Sequence, residues 1–229
     1  GSYNIIIGGA NNVYGTGAGS NNFMGGGLGN SITGAGTDYN VLLGGYTNLI
    51  SAGVSYSTFG GGYSNTLSGT ASHSFLGGGS GNLLALSSWS VLGGGQDNIL
   101  SGSDYSAIAG GQDNEISGSS HYSTVGGGRD NVINNAAEYA AIPGGRGNEV
   151  TEDYGVAIGY NSHVNSTGAF VLSDSDSTIT VDGGANSLTM NYSQGLDIVA
   201  VTPTGDLVAP AAGDVTLYCI QTGTSPNFT

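Results

Sequence analysis

Three histidines, sixteen acidic residues, two arginines and one cysteine are the groups in this chain that could carry polar chemistry, and there is no lysine. His73, His121 and His163 occupy different positions of the chain's repeat, so they build no stacked metal site with several ligands converging on one ion. His73 takes a place otherwise held by tyrosine and is read as structural. Serine is so abundant that a Ser-His-Asp combination carries no information about nucleophilic catalysis. The acids Asp97, Asp113 and Asp130 are more ordered, because they share one repeat position beside Arg129 and Arg146. Carboxylates stacked about 5 Å apart repel one another unless neutralised. They are read first as a solvated or Arg-paired ladder, then as oxygen ligands for a divalent cation, and last as a glycosidase pair. Asp174 and Asp176 in SDSDS read as an exposed turn. Cys219 in DVTLYCI falls in phase with Val215 and Leu217 and reads as a small buried hydrophobe. No catalytic residue, metal or cofactor is expected. The candidate ligand-binding residues are Trp89, Tyr105 and Tyr122, since aromatic rings suit stacking on sugars.

The elements that position these groups cannot be helices. The chain holds 45 glycines in 229 residues, and each glycine inside a helix costs about 1 kcal/mol relative to alanine. Disorder does not fit either, because apolar residues recur in register. A formal net charge of −14 repels phosphate backbones and anionic lipid surfaces, which argues against nucleic-acid partners. No apolar run reaches the roughly 20 residues of a membrane-spanning helix, so membrane insertion is not expected. Any export signal or anchor is expected outside this chain.

One pattern organises most of the sequence: aromatic-S-x-Φ-G-G-G-x-x-N-x-Φ, with Φ apolar. Clear copies are YSTFGGGYSNTL, WSVLGGGQDNIL, YSAIAGGQDNEI and YSTVGGGRDNVI. Successive units start 15 to 18 residues apart, too short for a strand plus a helix. The register from glycine run to second Φ never varies, so one turn is fixed. The other is a loop that shortens from six residues at Gly15 to Ser20 to three at Thr151 to Asp153. The strings GGQDN and GGRDN superficially resemble the calcium-binding nonapeptide, but the period excludes it. Two short strands per unit predict an all-β, parallel β-roll or solenoid of about eleven coils over residues 1–172. Residues 173–229 leave the repeat. Stretches such as TITVD, SLTMNY and LDIVAVT predict an antiparallel or interwound β cap, trimerisation or tip domain there.

Coils stacked about 4.8 Å apart turn each repeat position into a ladder. One predicted core ladder runs Ile6, Met24, Leu42, Phe59, Leu76, Leu92, Ile108, Val125, Ile142; the facing one runs from Ile32 and Ile50 through Leu100 to Val150. Glycine at the reversal supplies positive φ and close backbone approach. The recurring Asn65, Asn82, Asn98, Asn114, Asn131 and Asn148 are read as a structural ladder that tolerates left-handed backbone and bonds from coil to coil. A roll this thin would leave its ladder of Tyr3, Tyr39, Tyr56, Trp89, Tyr105, Tyr122, Tyr139 and Tyr154 poorly covered, and oligomerisation is the simplest remedy.

The segment YGVAIGYNSHVNSTG resembles the head repeats of trimeric autotransporter adhesins, and the GGG-x-x-N copies are similar to the glycine-rich version of that head in bacterial surface and phage fibre proteins. The resemblance spans roughly residues 3 to 172. It implies a homotrimer of left-handed parallel β-rolls used for attachment, with Val156 and Ile158 pointing inward as the equivalents of Ile142 and Gly144. By the same analogy, the chain's end at Thr229 would be the mature edge left by a self-cleaving chaperone. The triple glycine stands where that family has Ile-Gly, and no neck or coiled-coil stalk is present in the sequence.

The expected function is a non-enzymatic fibre, extracellular on a virion tail or cell surface. A phage tail fibre or virion appendage contacting the host comes first, with a bacterial adhesin head, a purely structural spacer rod or filament subunit, and a polysaccharide-degrading tailspike as alternatives. Its expected partners are sister chains, a host cell-surface glycan or outer-membrane component, and other virion or fibre proteins.

Overall fold

The computed structural model describes residues 3–174, 180–191, 200–201 and 207–208. Among them there is no helix, and the chain forms a parallel β-solenoid of about eleven turns. Two compact units divide it: residues 1–193 hold the solenoid, and residues 194–229 hold an antiparallel pair of short strands, Ala200–Val201 with Leu207–Val208.

Each coil passes through three hydrogen-bonded segments. The first, such as Val91–Leu92, joins a long sheet in which every strand pairs in parallel with its equivalent one coil away. The second is a single-residue bridge after the glycine run, which forms its own column from Ala10 through Tyr63, Gln96 and Arg129 to Arg146. The third, such as Ile99–Ser101, joins an 11-stranded sheet. The sequence predicts two strands per coil, and the bridge column adds a third line of pairing.

Both predicted core ladders are present. Met24, Leu42, Phe59, Leu76, Leu92, Ile108, Val125 and Ile142 are fully buried on one side, and Ile32 through Leu100 to Val150 on the other. Ile6 is the exception at 39% exposure, since it sits in the first coil of the described residues and pairs on one side only, with Met24. One expectation taken from the adhesin resemblance is corrected. Ala141 pairs with Val156, which places Ala157 on the rung after Ile142. Ala157 and then Val171 are buried, while Val156 and Ile158 are only half-buried and face outward. The inward choice follows the repeat's own count, since Ile142 and Ala157 each lie three residues after a ladder tyrosine.

The parallel ladders continue beyond residue 172. Phe170–Ser173 pairs in register with Leu188–Asn191, and Ser162 and His163 pair with Thr180 and Val181. Thr180–Val181 and Leu188–Asn191, within the stretches TITVD and SLTMNY, therefore pair in parallel with the preceding coil rather than antiparallel. Cys219 and the DVTLYCI stretch lie outside the described residues.

The triple glycine has a steric cause. In the coil of Gly93, Gly94 and Gly95, the last two have φ of +145° and +92°. A Cβ on Gly93 would overlap the Ala109 carbonyl, and one on Gly95 would overlap the Gly111 carbonyl and crowd Asn98 Nδ2. Here the backbones of adjacent coils occupy the space that side chains would need.

Candidate functional site

Two corners of most coils share one design, a left-handed residue followed by a small polar residue that turns inward. At the corner after the glycine run, Thr47, Ser64, Asp97, Asp113 and Asp130 have φ between +52° and +57°. The buried ladder asparagines that follow them do not. This corrects the reading that the ladder asparagine itself adopts the left-handed backbone: its predecessor does, which explains why that place holds Gly, Asn, Asp, Ser or Thr.

The asparagine's work is hydrogen bonding. Asn98 Nδ2 reaches Asn82 Oδ1 at 3.1 Å and the Gly94 and Gly111 carbonyls at 2.9 Å each. Its Oδ1 accepts from the backbone N–H and the Nδ2 of Asn114, both at 3.0 Å. Asn65, Asn82, Asn114, Asn131 and Asn148 repeat the arrangement, all essentially buried. Satisfied amides of this kind hold neighbouring coils in register.

The second corner follows the variable loop. Its left-handed residue is the aromatic one: Tyr39, Tyr56, His73, Trp89, Tyr105, Tyr122, Tyr139 and Tyr154 all have φ of +56° to +58°. Nothing in residue propensity points to tyrosine there, since a bulky residue in this region is an outlier costing roughly 1–2 kcal/mol. The inward residue that follows is Asn40, then serine from Ser57 to Ser123, in a second hydrogen-bonded column that gives way to Ala140 and Gly155 at the last two rungs. The Ser90 N–H donates to Ser74 Oγ, and the Ser106 N–H to Ser90 Oγ, each at 3.1 Å. That column is visible in the sequence as the S of the repeat, where the general abundance of serine hides its role.

At this corner the rings form one continuous stack. Consecutive centroids lie 4.1 to 6.4 Å apart with planes within 16° of parallel, His73 sitting between Tyr56 and Trp89. Stacked aromatic pairs contribute about 0.5–1.5 kcal/mol beyond area burial, which offsets the backbone strain. Tyr3 stands apart because Asn21 occupies the next rung. The candidate residues Trp89, Tyr105 and Tyr122 are successive rungs, each about half exposed. The stack is covered in part by itself rather than left bare, and its outer surface consists of ring edges and hydroxyls.

Of the acid ladder, only Asp130 is bracketed by arginine, at 3.1 Å from Arg129 Nε and 3.5 Å from Arg146 Nε. Asp97 instead accepts from Gln96 Nε2 at 2.9 Å. Arg146 also lies over the Tyr160 ring, 5.9 Å from its centroid. His163, on the outward side of the second sheet, meets its register partner Glu149 at 3.2 Å. Among the described residues, no group of three or more His, Cys, Asp or Glu is close enough to hold a metal ion.

One carboxylate is tied into the last coil. Burial pushes the Asp182 carboxyl up, but hydrogen bonds from the backbone N–H groups of Asn165 and Gly184 and from Ser166 outweigh it and hold it below the ordinary carboxylate value. A folded-state value below the unfolded one gives stability that is present above the unfolded value and lost as pH falls through the folded one. Amide protection around Thr180 to Asn191, corrected for intrinsic exchange, is therefore expected to decline in acid below the normal aspartate range. Asp182→Asn should abolish that pH dependence.

The outward side of the long sheet is a column without charge, unlike the outward side of the second sheet, which carries Glu115 and Glu149. Its rungs read Phe23, Val41, Thr58, Phe75, Val91, Ala107, Thr124, Ala141, Val156 and Phe170, with no charged residue among them. No protein-family model and no curated protein matches the chain.

Proposed function

We propose that the chain is a non-enzymatic rod that assembles with two further copies of itself and contacts a cell-surface glycan or outer-membrane component. The observation that carries this reading is the half-exposed stack of eight rings running along the solenoid, whose outer edges and hydroxyls form a long strip suited to recognition. Eleven stacked coils make a rod about 50 Å long, held by ladders that need no catalytic group.

The uncharged outer face of the long sheet supports the assembly. Chains carrying a net charge of −14 repel one another, so copies can approach only where charge is absent, and this face offers apolar and threonine rungs over the whole solenoid. The aromatic stack then remains outside for the ligand. The glycine-rich likeness to phage fibre and adhesin heads favours an extracellular place, a tail fibre or virion appendage before a bacterial adhesin head.

The test has two parts. Particle mass in solution should correspond to three chains, and Val91→Lys should reduce it to one chain with an unchanged β signature in circular dichroism. Labelled rod should adhere to cell envelopes, with Trp89→Ala weakening adhesion while the mass stays that of three chains. A stable single-chain wild type, or a rod that adheres to no envelope, overturns the reading.

A further inference from the structure

The stack has a period, and a period selects among ligands. Four consecutive rungs, Tyr105, Tyr122, Tyr139 and Tyr154, are all phenols with centroids 5.0 to 5.2 Å apart and planes 4° from parallel. Neighbours cover both faces of each inner ring, which leaves edges and hydroxyls outside. No protein group among the described residues bonds any of these four hydroxyls, whereas the Tyr14 hydroxyl is engaged by the carbonyls of Ile5 and Asn22. The result is a row of open donor-acceptor groups, one per coil, along the solenoid.

Such a row recognises best a linear ligand that repeats in step with it. An extended peptide advances about 3.3 Å per residue and runs out of step. Duplex DNA advances about 3.4 Å per base pair and is repelled by an acidic surface. An extended β-1,4-linked hexose chain advances close to one residue per coil and presents equatorial hydroxyls along its edges. An α-1,4-linked chain curls away from any straight row.

Charge refines the choice. Asp104, Glu138 and Asp153 immediately precede Tyr105, Tyr139 and Tyr154. One oxygen of Asp104 accepts the Ser88 N–H at 2.7 Å, and one of Asp153 accepts the Glu138 N–H at 2.8 Å, so both are fixed beside the row. Desolvation first, then coulombic interaction with Tyr122, Glu138, Tyr154 and Asp153, pushes the Tyr139 hydroxyl above its ordinary value.

We propose that the phenol row from Tyr105 to Tyr154 seats an extended β-1,4-linked glycan along the rod, one sugar per coil, and holds amine-bearing chains more tightly than neutral ones. This deepens the attachment reading and rests on it for the ligand being a glycan.

The chain's single tryptophan, Trp89, lies next to Tyr105 in the stack, 6.4 Å between centroids, and reports binding without a label; calorimetry gives a second readout. The assembled rod is titrated with cello-oligosaccharides, chitosan oligosaccharides and malto-oligosaccharides of matched lengths. From disaccharide to tetrasaccharide, affinity should rise about tenfold or more in both β-1,4 series and stay flat in the α-1,4 series. The amine series should lead at low salt and lose its advantage near ~1 M salt. Replacing Tyr105, Tyr122, Tyr139 and Tyr154 together by Phe keeps the rings and removes the hydroxyls; with an unchanged unfolding midpoint, this variant should lose about tenfold in tetrasaccharide affinity.

Absence of length dependence, equal binding of the α-1,4 series, or a Phe variant that binds as well as wild type overturns the proposal. A rod that adheres to envelopes yet shows any of these results sinks this inference alone. One that adheres to nothing sinks the attachment reading with it.

Discussion

Gly95→Ala is expected to be the most damaging small substitution in the solenoid, costing about 4 kcal/mol or more. The new Cβ would overlap the Gly111 carbonyl oxygen, stand 2.7 Å from Asn98 Nδ2 and 2.8 Å from the Gly111 nitrogen, on a backbone held at φ +92°. That carbonyl cannot retreat, because it accepts the Gln96 N–H at 2.9 Å and the Asn98 amide at 2.9 Å. The coils would have to separate, breaking the bridge and asparagine columns at once. Gly144→Ala is the matched control. Nothing lies within 4 Å of its added methyl and its φ is outside the left-handed region, so the change should be neutral or stabilising by about 0.4–1 kcal/mol through the unfolded chain. Equilibrium denaturation of both variants checks the contrast; equal effects would mean that the close backbone approach does not govern stability.

Asn98→Ala is expected to cost about 3–5 kcal/mol, the sum of a few buried groups left unbonded at about 1–3 kcal/mol each. The Asn114 N–H would lose its acceptor and the Gly94 carbonyl its amide donor. Solenoid stability is close to a sum of coil and neighbour terms, so the damage should be local before it is global. Amide exchange should accelerate first at Asn114 and its flanking coils. An exposed neighbour changed in the same way, Gln96→Ala, should shift stability by no more than about 0.5 kcal/mol. A uniform, all-or-none loss of protection along the rod would contradict this picture.

The contrast between these positions also shows what the sequence makes legible. In a parallel stack, spacing in the sequence becomes contact in space, so an unvarying interval from glycine run to asparagine to Φ was enough to pair Leu92 with Ile108 and Asn98 with Asn114. The left-handed aromatic corner was not legible, because intrinsic preference opposes it. The coil-to-coil stack that compensates for the strain is a tertiary effect visible only when eight such residues are aligned. At Val156 and Ile158 a borrowed pattern prevailed over the chain's own count from Tyr154, and the inward residue moved by one. The coil ending at Asn191 escaped notice because its glycine run and asparagine had dissolved, leaving only alternating apolar residues that suit parallel and antiparallel pairing alike. The candidate ligand residues were legible as individual rings, whereas their shared period and open hydroxyls were not.

The asparagine column has a direction. At every rung the later residue's main-chain N–H points back to the side-chain oxygen of the preceding turn, as Asn98 does to Asn82 and Asn114 to Asn98. A polypeptide emerging from its N-terminal side therefore meets a finished template each time another turn is made, and can add turns one at a time like a zip fastener closing from a single end. Rod length then becomes a matter of how many turns are encoded, and a whole turn can be gained or lost with the joints on either side unaltered.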